Sequence, residues 1–406
     1  MTPVSSDYIS IGKLILQLKI LVCTSMWFSG ISQESTSLNW SLLDSVFSSN
    51  QNNVMLFARG CLKKGEVSPC VMTGESSAFT VPQCDACEHP AVVEQAYSGR
   101  ILCSKHLAKS VRKKISKELR LQLTLPKGKK TTIFVAISGG KDSAVLLDSL
   151  VDLLGKNPDV RIVAGTVDEG IEGYRPPSII CAQELCDRLG VEYIRVSYPE
   201  LSFHEMDEVV RRLPMVAKKN SSAPRLACSY CGVFRRQGIN HLAASVGADV
   251  IALGHNLDDM AQTVMMNMSN GDLERTLRLA PHAASLVEGL APRIVPLRWV
   301  PEQEVHLYAL HRELPLHHEE CPNAKGALRW RHRELVAQME ADTPGTRHSL
   351  LHMADQIKGL RDEIEQLGGR KNPPASAKSC PICGNVTSGE QCKACDMRDL
   401  LRSEEE

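Results

Sequence analysis

A continuous apolar run at 133–137 breaks into Ser138-Gly139-Gly140-Lys141-Asp142-Ser143, and a helical period follows over 141–154. A run of strand length without polar alternation is a strand covered on both faces, as in a parallel sheet. Two glycines let the chain turn sharply and bring backbone N–H groups to an anion. The helix start behind them adds the positive end of its dipole. Ser138 and Ser143 bring hydroxyls and Lys141 a point charge, so these six residues can hold a pyrophosphate. An ordinary strand-to-helix turn with capping serines is the plain alternative, but it leaves the convergence of four polar roles unexplained. The spacing is not that of the G-x-x-x-x-G-K-[ST] loop.

The α/β pattern continues with strands at 161–167, 191–196 and 249–253, and helices at 177–189 and after Asn256. Strands alternating with helices predict a parallel, Rossmann-like sheet with ligands at the carboxyl ends of its strands. Two further strand ends carry polar residues: Thr166-Val167-Asp168-Glu169-Gly170, and Gly254-His255-Asn256-Leu257-Asp258-Asp259. Asp168, Gly254, His255 and Asn256 are candidates for the nucleotide. Asp258 or Asp259 suits Mg²⁺, a hard cation that takes carboxylate and phosphate oxygens. The competing role is helix capping by Asn256 and Asp258.

Fifteen cysteines in 406 residues are many, and most stand in CxxC or CxxH pairs, which suits metal binding in a reducing compartment. Cys84, Cys87, Cys103 and His106 form one closed four-ligand set, and Cys380, Cys383, Cys392 and Cys395 another. Both suit structural zinc. Cys228 and Cys231 have no second pair nearby, and the next cysteine downstream is Cys321. Three thiolates can hold a [4Fe–4S] cluster with one iron unligated by protein. Persulfide chemistry at these thiols and simple burial are the alternatives. Cys23, Cys61, Cys70, Cys181 and Cys186 are expected in apolar surroundings.

Lys plus Arg equals Asp plus Glu at 47, so only the distribution of charge can point to a nucleic-acid partner. Between Lys105 and Lys130 stand ten basic residues and one acid, Glu118. Leu107, Val111, Ile115 and Leu119 make an apolar stripe there, and Lys109, Lys113 and Lys117 share another face. Those lysines suit RNA phosphates or simple solvation. The expected organisation is an extension at 1–80 without regular period, a zinc knuckle at 81–107, a basic helix at 108–130, an ATPase domain at 131–345, a helix and linker at 346–379, and a second knuckle with tail at 380–406. No apolar run reaches membrane-spanning length; the nearest, Leu14 to Ile31, is interrupted by Gln17, Lys19, Thr24 and Ser25.

The S-G-G-K-D-S loop resembles the pyrophosphate loop of the PP-loop ATPases, which split ATP between its α- and β-phosphates. Taken in order, the first knuckle, this loop, Cys228-Ser229-Tyr230-Cys231-Gly232-Val233-Phe234-Arg235-Arg236, Gly254-His255-Asn256-Leu257-Asp258-Asp259, Glu320-Cys321-Pro322-Asn323 and the last knuckle resemble the cytoplasmic tRNA 2-thiolation protein 1 family. The resemblance implies cytoplasmic, ATP-dependent 2-thiolation of the wobble uridine in tRNAs for Lys, Glu and Gln. It implies a thiocarboxylated ubiquitin-related modifier as sulfur donor and cytoplasmic tRNA 2-thiolation protein 2 as heterodimer partner. Lys141 would bind pyrophosphate, Asp259 would lie at the reaction centre, and Cys228, Cys231 and Cys321 would carry cluster or sulfur. Arg235 and Arg236 join the lysines as tRNA-binding candidates. Arg235 stands where some archaeal members have a catalytic lysine, and an arginine offers charge but no base. Thiolation of an anticodon-loop cytidine and an inactive tRNA-binding scaffold are the rival readings.

Overall fold

The computed structural model describes residues 81–282, 289–324, 328–368, 378–387 and 389–402. The extension at 1–80, with Cys23, Cys61, Cys70 and the Leu14 to Ile31 run, lies outside the described residues. Among the described residues no helix is long and apolar enough to cross a membrane.

Two short hairpins open the described chain, β1 (Gln83–Cys84) with β2 (Cys87–Pro90), and β3 (Val93–Gln95) with β4 (Arg100–Leu102). Helix α1 (Ser104–Gln122) follows, then β5 (Thr131–Ala136), α2 (Lys141–Leu154), β6 (Val160–Asp168), α3 (Arg175–Leu189) and β7 (Glu192–Ser197). Next come α4 (Met206–Lys219), α5 (Ala227–Ser245), β8 (Val250–Ala252), α6 (Leu257–Ser269), α7 (Leu273–Leu277) and β9 (Arg293–Ile294). Helices α8 (Glu302–His311), α9 (Leu328–Asp342) and α10 (Thr346–Gln366), the hairpin β10 (Lys378–Ser379) with β11 (Val386–Thr387), and α11 (Lys393–Arg402) complete it.

Strands β5 to β9 form one parallel sheet in the order β7-β6-β5-β8-β9. The chain steps outward from β5 to β7 and then returns to the other side of β5. The carboxyl ends of β5 and β8 therefore flank the point where strand order reverses, the place open α/β sheets use for ligands.

Alternation along the strands divides the core. Ile133, Val135, Ala164 and Val250 face one apolar cluster, shared with α1, α2, α3 and α8. Phe134, Val167, Val196 and Ile251 face the other, shared with α4, α5 and α11. The α1 stripe of Leu107, Val111, Ile115 and Leu119 is buried in the first cluster. At roughly 2 kcal/mol per buried aliphatic side chain, that contact outweighs the modest helix preference of the segment. Cys186 is fully buried and Cys181 half-buried. Helix α10 packs on α6 through Leu351, Leu257 and Met260.

Candidate active site and metal centres

The loop after β5 is shaped by close approach. Gly139 has φ +82°, and a Cβ there would meet the Ser178 carbonyl oxygen at 2.0 Å. Only glycine fits both the left-handed backbone and that contact. The Ser143 hydroxyl accepts from Ser138 N at 3.1 Å and donates to the Gly140 carbonyl at 2.9 Å, closing the turn. Helix α2 starts from Gly140 without a side-chain cap, so its first N–H groups stay open to an anion.

The β8 end meets this loop. A Cβ on Gly254 would stand 3.1 Å from the Asp142 and Ser143 backbone, and Asn256 Nδ2 donates to Asp142 Oδ1 at 2.8 Å. Asn256 caps α6 in a capping box with Asp259, whose backbone N donates to Asn256 Oδ1 at 3.0 Å. Asp259 Oδ1 also pairs with Arg329 at 3.3 Å. Asp258 accepts from Glu302 N at 2.7 Å and pairs with Arg347 at 2.5 Å. Of the two expected caps, Asn256 is the cap, while Asp258 ties α6 to α8 and α10. At the β6 end, Asp168 Oδ1 accepts from Gly170 N at 3.1 Å.

Lys141 reaches Glu302 Oε1 at 2.8 Å and Asp142 Oδ2 at 3.1 Å. Burial alone would lower its pKa, but these two carboxylates outweigh that and raise it, so it stays a cation. Burial pushes Asp142 up to about 6; Lys141 opposes the shift, and Asp259 and Glu302 add to it. Asp142, Asp259 and Glu302 thus bring acidic side chains to the same neighbourhood as Lys141.

The cysteines of the third set come from two segments. Cys228 and Cys231 lie in the first turns of α5, which has no side-chain cap and no acid in its first turn. The helix dipole favours an anionic sulfur there, but burial first and then the Cys231 charge push the Cys228 thiol up. Cys321 precedes a 3-10 turn, Pro322–Ala324, that packs on α5; Cys228 Sγ donates to the Asn323 carbonyl at 3.4 Å. Cys231 and Cys321 both flank the second apolar cluster. Burial raises the Cys321 thiol, and the Cys231 and Cys228 charges add to the rise. The three are not among the ligand groups gathered within 4.8 Å, in contrast to both knuckles. One ion needs such a compact set, whereas a four-iron cube holds each thiolate on its own iron.

In the first knuckle His106 Nδ1 lies 3.4, 3.4 and 3.3 Å from the sulfurs of Cys84, Cys87 and Cys103. In the last, the sulfurs of Cys383 and Cys392 are 3.7 Å apart. Bonds of about 2.3 Å to sulfur and about 2.0 Å to nitrogen give tetrahedral edges of about 3.5–3.8 Å. The nitrogen–sulfur distances of the first set are slightly shorter than that range and the sulfur–sulfur distance of the second lies within it, so both donor sets suit a tetrahedral metal such as zinc. Lys109, Lys113 and Lys117 are exposed on α1, and Arg235 and Arg236 on α5. His255 faces solvent, yet burial first, and then Arg329, Arg293 and Arg235, hold its imidazole below the usual pKa.

Several residues here carried no sequence signal for the site. Glu302 and Arg175 join it from distant or unremarked positions. Arg329 and Arg333 had a usable one, i,i+4 spacing on a single helix face; Arg333 reaches Glu302 Oε2 at 3.5 Å.

The PP-loop domain family matches residues 108–336, and the N-terminal LIM domain of 2-thiouridine synthetase TtuA matches 83–108. The tRNA 2-thiolation protein NcsA of Haloferax volcanii is 37% identical over 331 residues, covering 79% of this chain and 99% of its own. Cytoplasmic tRNA 2-thiolation protein 1 of Bos taurus is 33% identical over 323 residues, covering 79% of this chain and 88% of that protein. Among solved structures, the U34-tRNA thiolase NcsA of Methanococcus maripaludis with its [4Fe-4S] cluster superposes with a TM-score of 0.62 at 30% identity, over 79% of this chain and 96% of that one.

Proposed function

The chain belongs to the PP-loop tRNA 2-thiolation family, ATP-using sulfurtransferases, and from that premise we propose that it adenylates the wobble uridine of tRNAs for Lys, Glu and Gln and replaces the C2 oxygen with sulfur. The observation that carries this reading is a contact: His317 N donates to the Gly139 carbonyl at 2.9 Å. It fastens the segment four residues before Cys321 to the phosphate loop. Activation and sulfur delivery thus share one end of the sheet.

In this reading the uridine C2 oxygen attacks the α-phosphate of ATP, and pyrophosphate leaves into the 138–143 loop. Lys141 and the open N–H groups of α2 neutralise its charge. A sulfur nucleophile then attacks C2, and AMP departs with the former C2 carbonyl oxygen. Asp259 would carry Mg²⁺ with the phosphates, Asp258 being tied to Arg347. Asp168, Gly254, His255 and Asn256 would line the nucleotide. The base must leave the anticodon stack, which a single-stranded loop permits at modest cost.

Cys228, Cys231 and Cys321 would hold a [4Fe–4S] cluster, the group present in the Methanococcus thiolase. When bound, it supplies an iron unligated by protein and open to an incoming sulfide. A thiocarboxylated ubiquitin-related modifier would provide the sulfur, cytoplasmic tRNA 2-thiolation protein 2 would be the partner, and the cytoplasm the place of action. The two knuckles would bind structural zinc. Lys109, Lys113, Lys117, Arg235 and Arg236 would contact tRNA.

Lys141→Ala tests the nucleotide role. The variant should keep its thermal midpoint and lose tRNA-dependent exchange of pyrophosphate into ATP together with 2-thiouridine. Normal 2-thiouridine from the pure variant rules out this use of the loop. Appearance of 2-thiocytidine in the nucleoside mass spectrum of the wild-type product moves the assignment to the cytidine reading.

A further inference from the structure

Glu169 follows the last residue of β6 and is almost wholly buried. A carboxylate in such a place needs full pairing, because an isolated buried charge is costly. It has two guanidinium partners. On one oxygen it meets Arg175 Nε, the first residue of α3. On the other it accepts from Arg235 Nε at 2.7 Å.

Each arginine has a second task. Arg175 is itself buried; its Nη1 donates to the Ser138 carbonyl at 3.0 Å and its Nη2 to the Val167 carbonyl at 2.7 Å. It therefore grips the first residue of the phosphate loop. Arg235 stands one helical turn after Cys231, and long helical side chains lean toward the helix start. Its Nη2 donates to Cys231 Sγ at 3.2 Å. Tyr198 Oη approaches the same sulfur at 3.7 Å and donates to the Cys231 carbonyl at 3.0 Å.

The result is a continuous path: Ser138 carbonyl, Arg175, Glu169, Arg235, Cys231 sulfur. Two cations share one carboxylate, which leaves one positive charge in excess, and its exposed end faces the sulfur. Without Glu169, Arg235 is a long side chain with many rotamers, held over Cys231 by its hydrogen bond to the sulfur alone.

We propose that Glu169 is a positioning residue: it holds Arg235 against the Cys231 sulfur, and through Arg175 it fixes that arrangement relative to the phosphate loop. The inference rests on the reading of Cys231 as part of the sulfur site. Arg235, rather than acting as the base a lysine could be at this position, supplies a fixed positive charge and donor to an anionic sulfur ligand. Glu169 decides whether that charge is in place.

A double-mutant cycle tests this on two readouts, the rate of 2-thiouridine formation and the rate at which a chelator strips iron from the anaerobically prepared protein. Glu169→Gln keeps shape and burial while removing the charge. It and Arg235→Ala should each slow thiolation and speed iron loss, by about 10–100-fold, the usual effect of removing a residue that orients a metal ligand. Since Glu169 acts on the sulfur through Arg235, the double variant should lose iron no faster than Arg235→Ala alone. Additive acceleration of iron loss overturns the proposal, as does wild-type behaviour of Glu169→Gln. Should Glu169→Gln unfold, Arg235→Lys serves: a point charge can pair with Glu169 but cannot also bridge to the sulfur, so it should fall short of wild type in both readouts. Wild-type values for Arg235→Lys in both also overturn the proposal. Full thiolation by Cys231→Ala would instead bring down the underlying reading of the sulfur site, a separate result.

Discussion

Cys186 and Cys321 both stand apart from any close CxxC partner, and their surroundings separate them. Cys186 is fully buried in the apolar layer of α3, where burial pushes its thiol up to about 12 and Asp187 adds to the rise. It is an inert packing group. Cys321 is half-buried, next to a turn that touches Cys228, and feels the charges of the other two cysteines. We therefore expect Cys321→Ala to retain pyrophosphate exchange and to lose both iron and 2-thiouridine. Cys186→Ala should cost about 1 kcal/mol of stability, from the small cavity it leaves, with normal product. Full thiolation by the Cys321 variant would end its role as a third ligand or sulfur carrier. The phosphate loop was legible because its parts are adjacent in sequence. Glu302 was not: it joins Lys141 across 161 positions, and nothing local marks a glutamate at a helix start as a partner for a distant lysine. Asp259 shows a different limit. One motif carries both a capping box and a candidate catalytic carboxylate, and spacing alone cannot say how the two tasks are shared.

At the scale of elements, the last knuckle is more than a tail behind a linker. Cys380, Cys392 and Cys395 are buried with Ala394, Met397 and Leu401 in the cluster that also takes Tyr230 and Phe234 of α5. Arg212 of α4 donates to the Leu401 carbonyl at 3.0 Å. A metal held at this knuckle would thus support the helix that carries Cys228 and Cys231. Cys383→Ser should release one equivalent of zinc, increase protease cleavage after 378, and speed iron loss from the distant cysteine set. Unchanged zinc content and protease resistance would remove the site assignment; zinc loss without any effect on iron would confine the knuckle to local stability. The ligand spacing was readable from sequence, since CxxC pairs are local. The docking was not, because it rests on small apolar residues that any short helix could bury. Strand β9 escaped for a related reason: two residues are too few to show a period.

Across the whole molecule, the question is how a chain of zero net charge would engage a polyanion. The fold segregates its charge. On α1 the apolar stripe is buried, which turns Lys109, Lys113 and Lys117 outward together. The arginines Arg235, Arg293 and Arg329 surround His255 at the carboxyl end of the sheet. Phosphates near these groups would release condensed counterions, so affinity should fall steeply with salt. Each lysine that truly meets a phosphate contributes about 0.7–0.9 to the slope of log K against log salt. Replacing Lys109, Lys113 and Lys117 together with alanine should therefore weaken tRNA binding at low salt and reduce the slope by roughly 2 to 3. Stability should be nearly unchanged, because alanine is a good helix former and the buried stripe is untouched. A solvated face predicts something else: the same slope, with only the small uniform loss that comes from a less positive chain. Filter binding of unmodified tRNA from about 50 to 200 mM salt separates the two outcomes. A slope equal to wild type would remove α1 from the tRNA path and leave Arg235 and Arg236 as the remaining candidates.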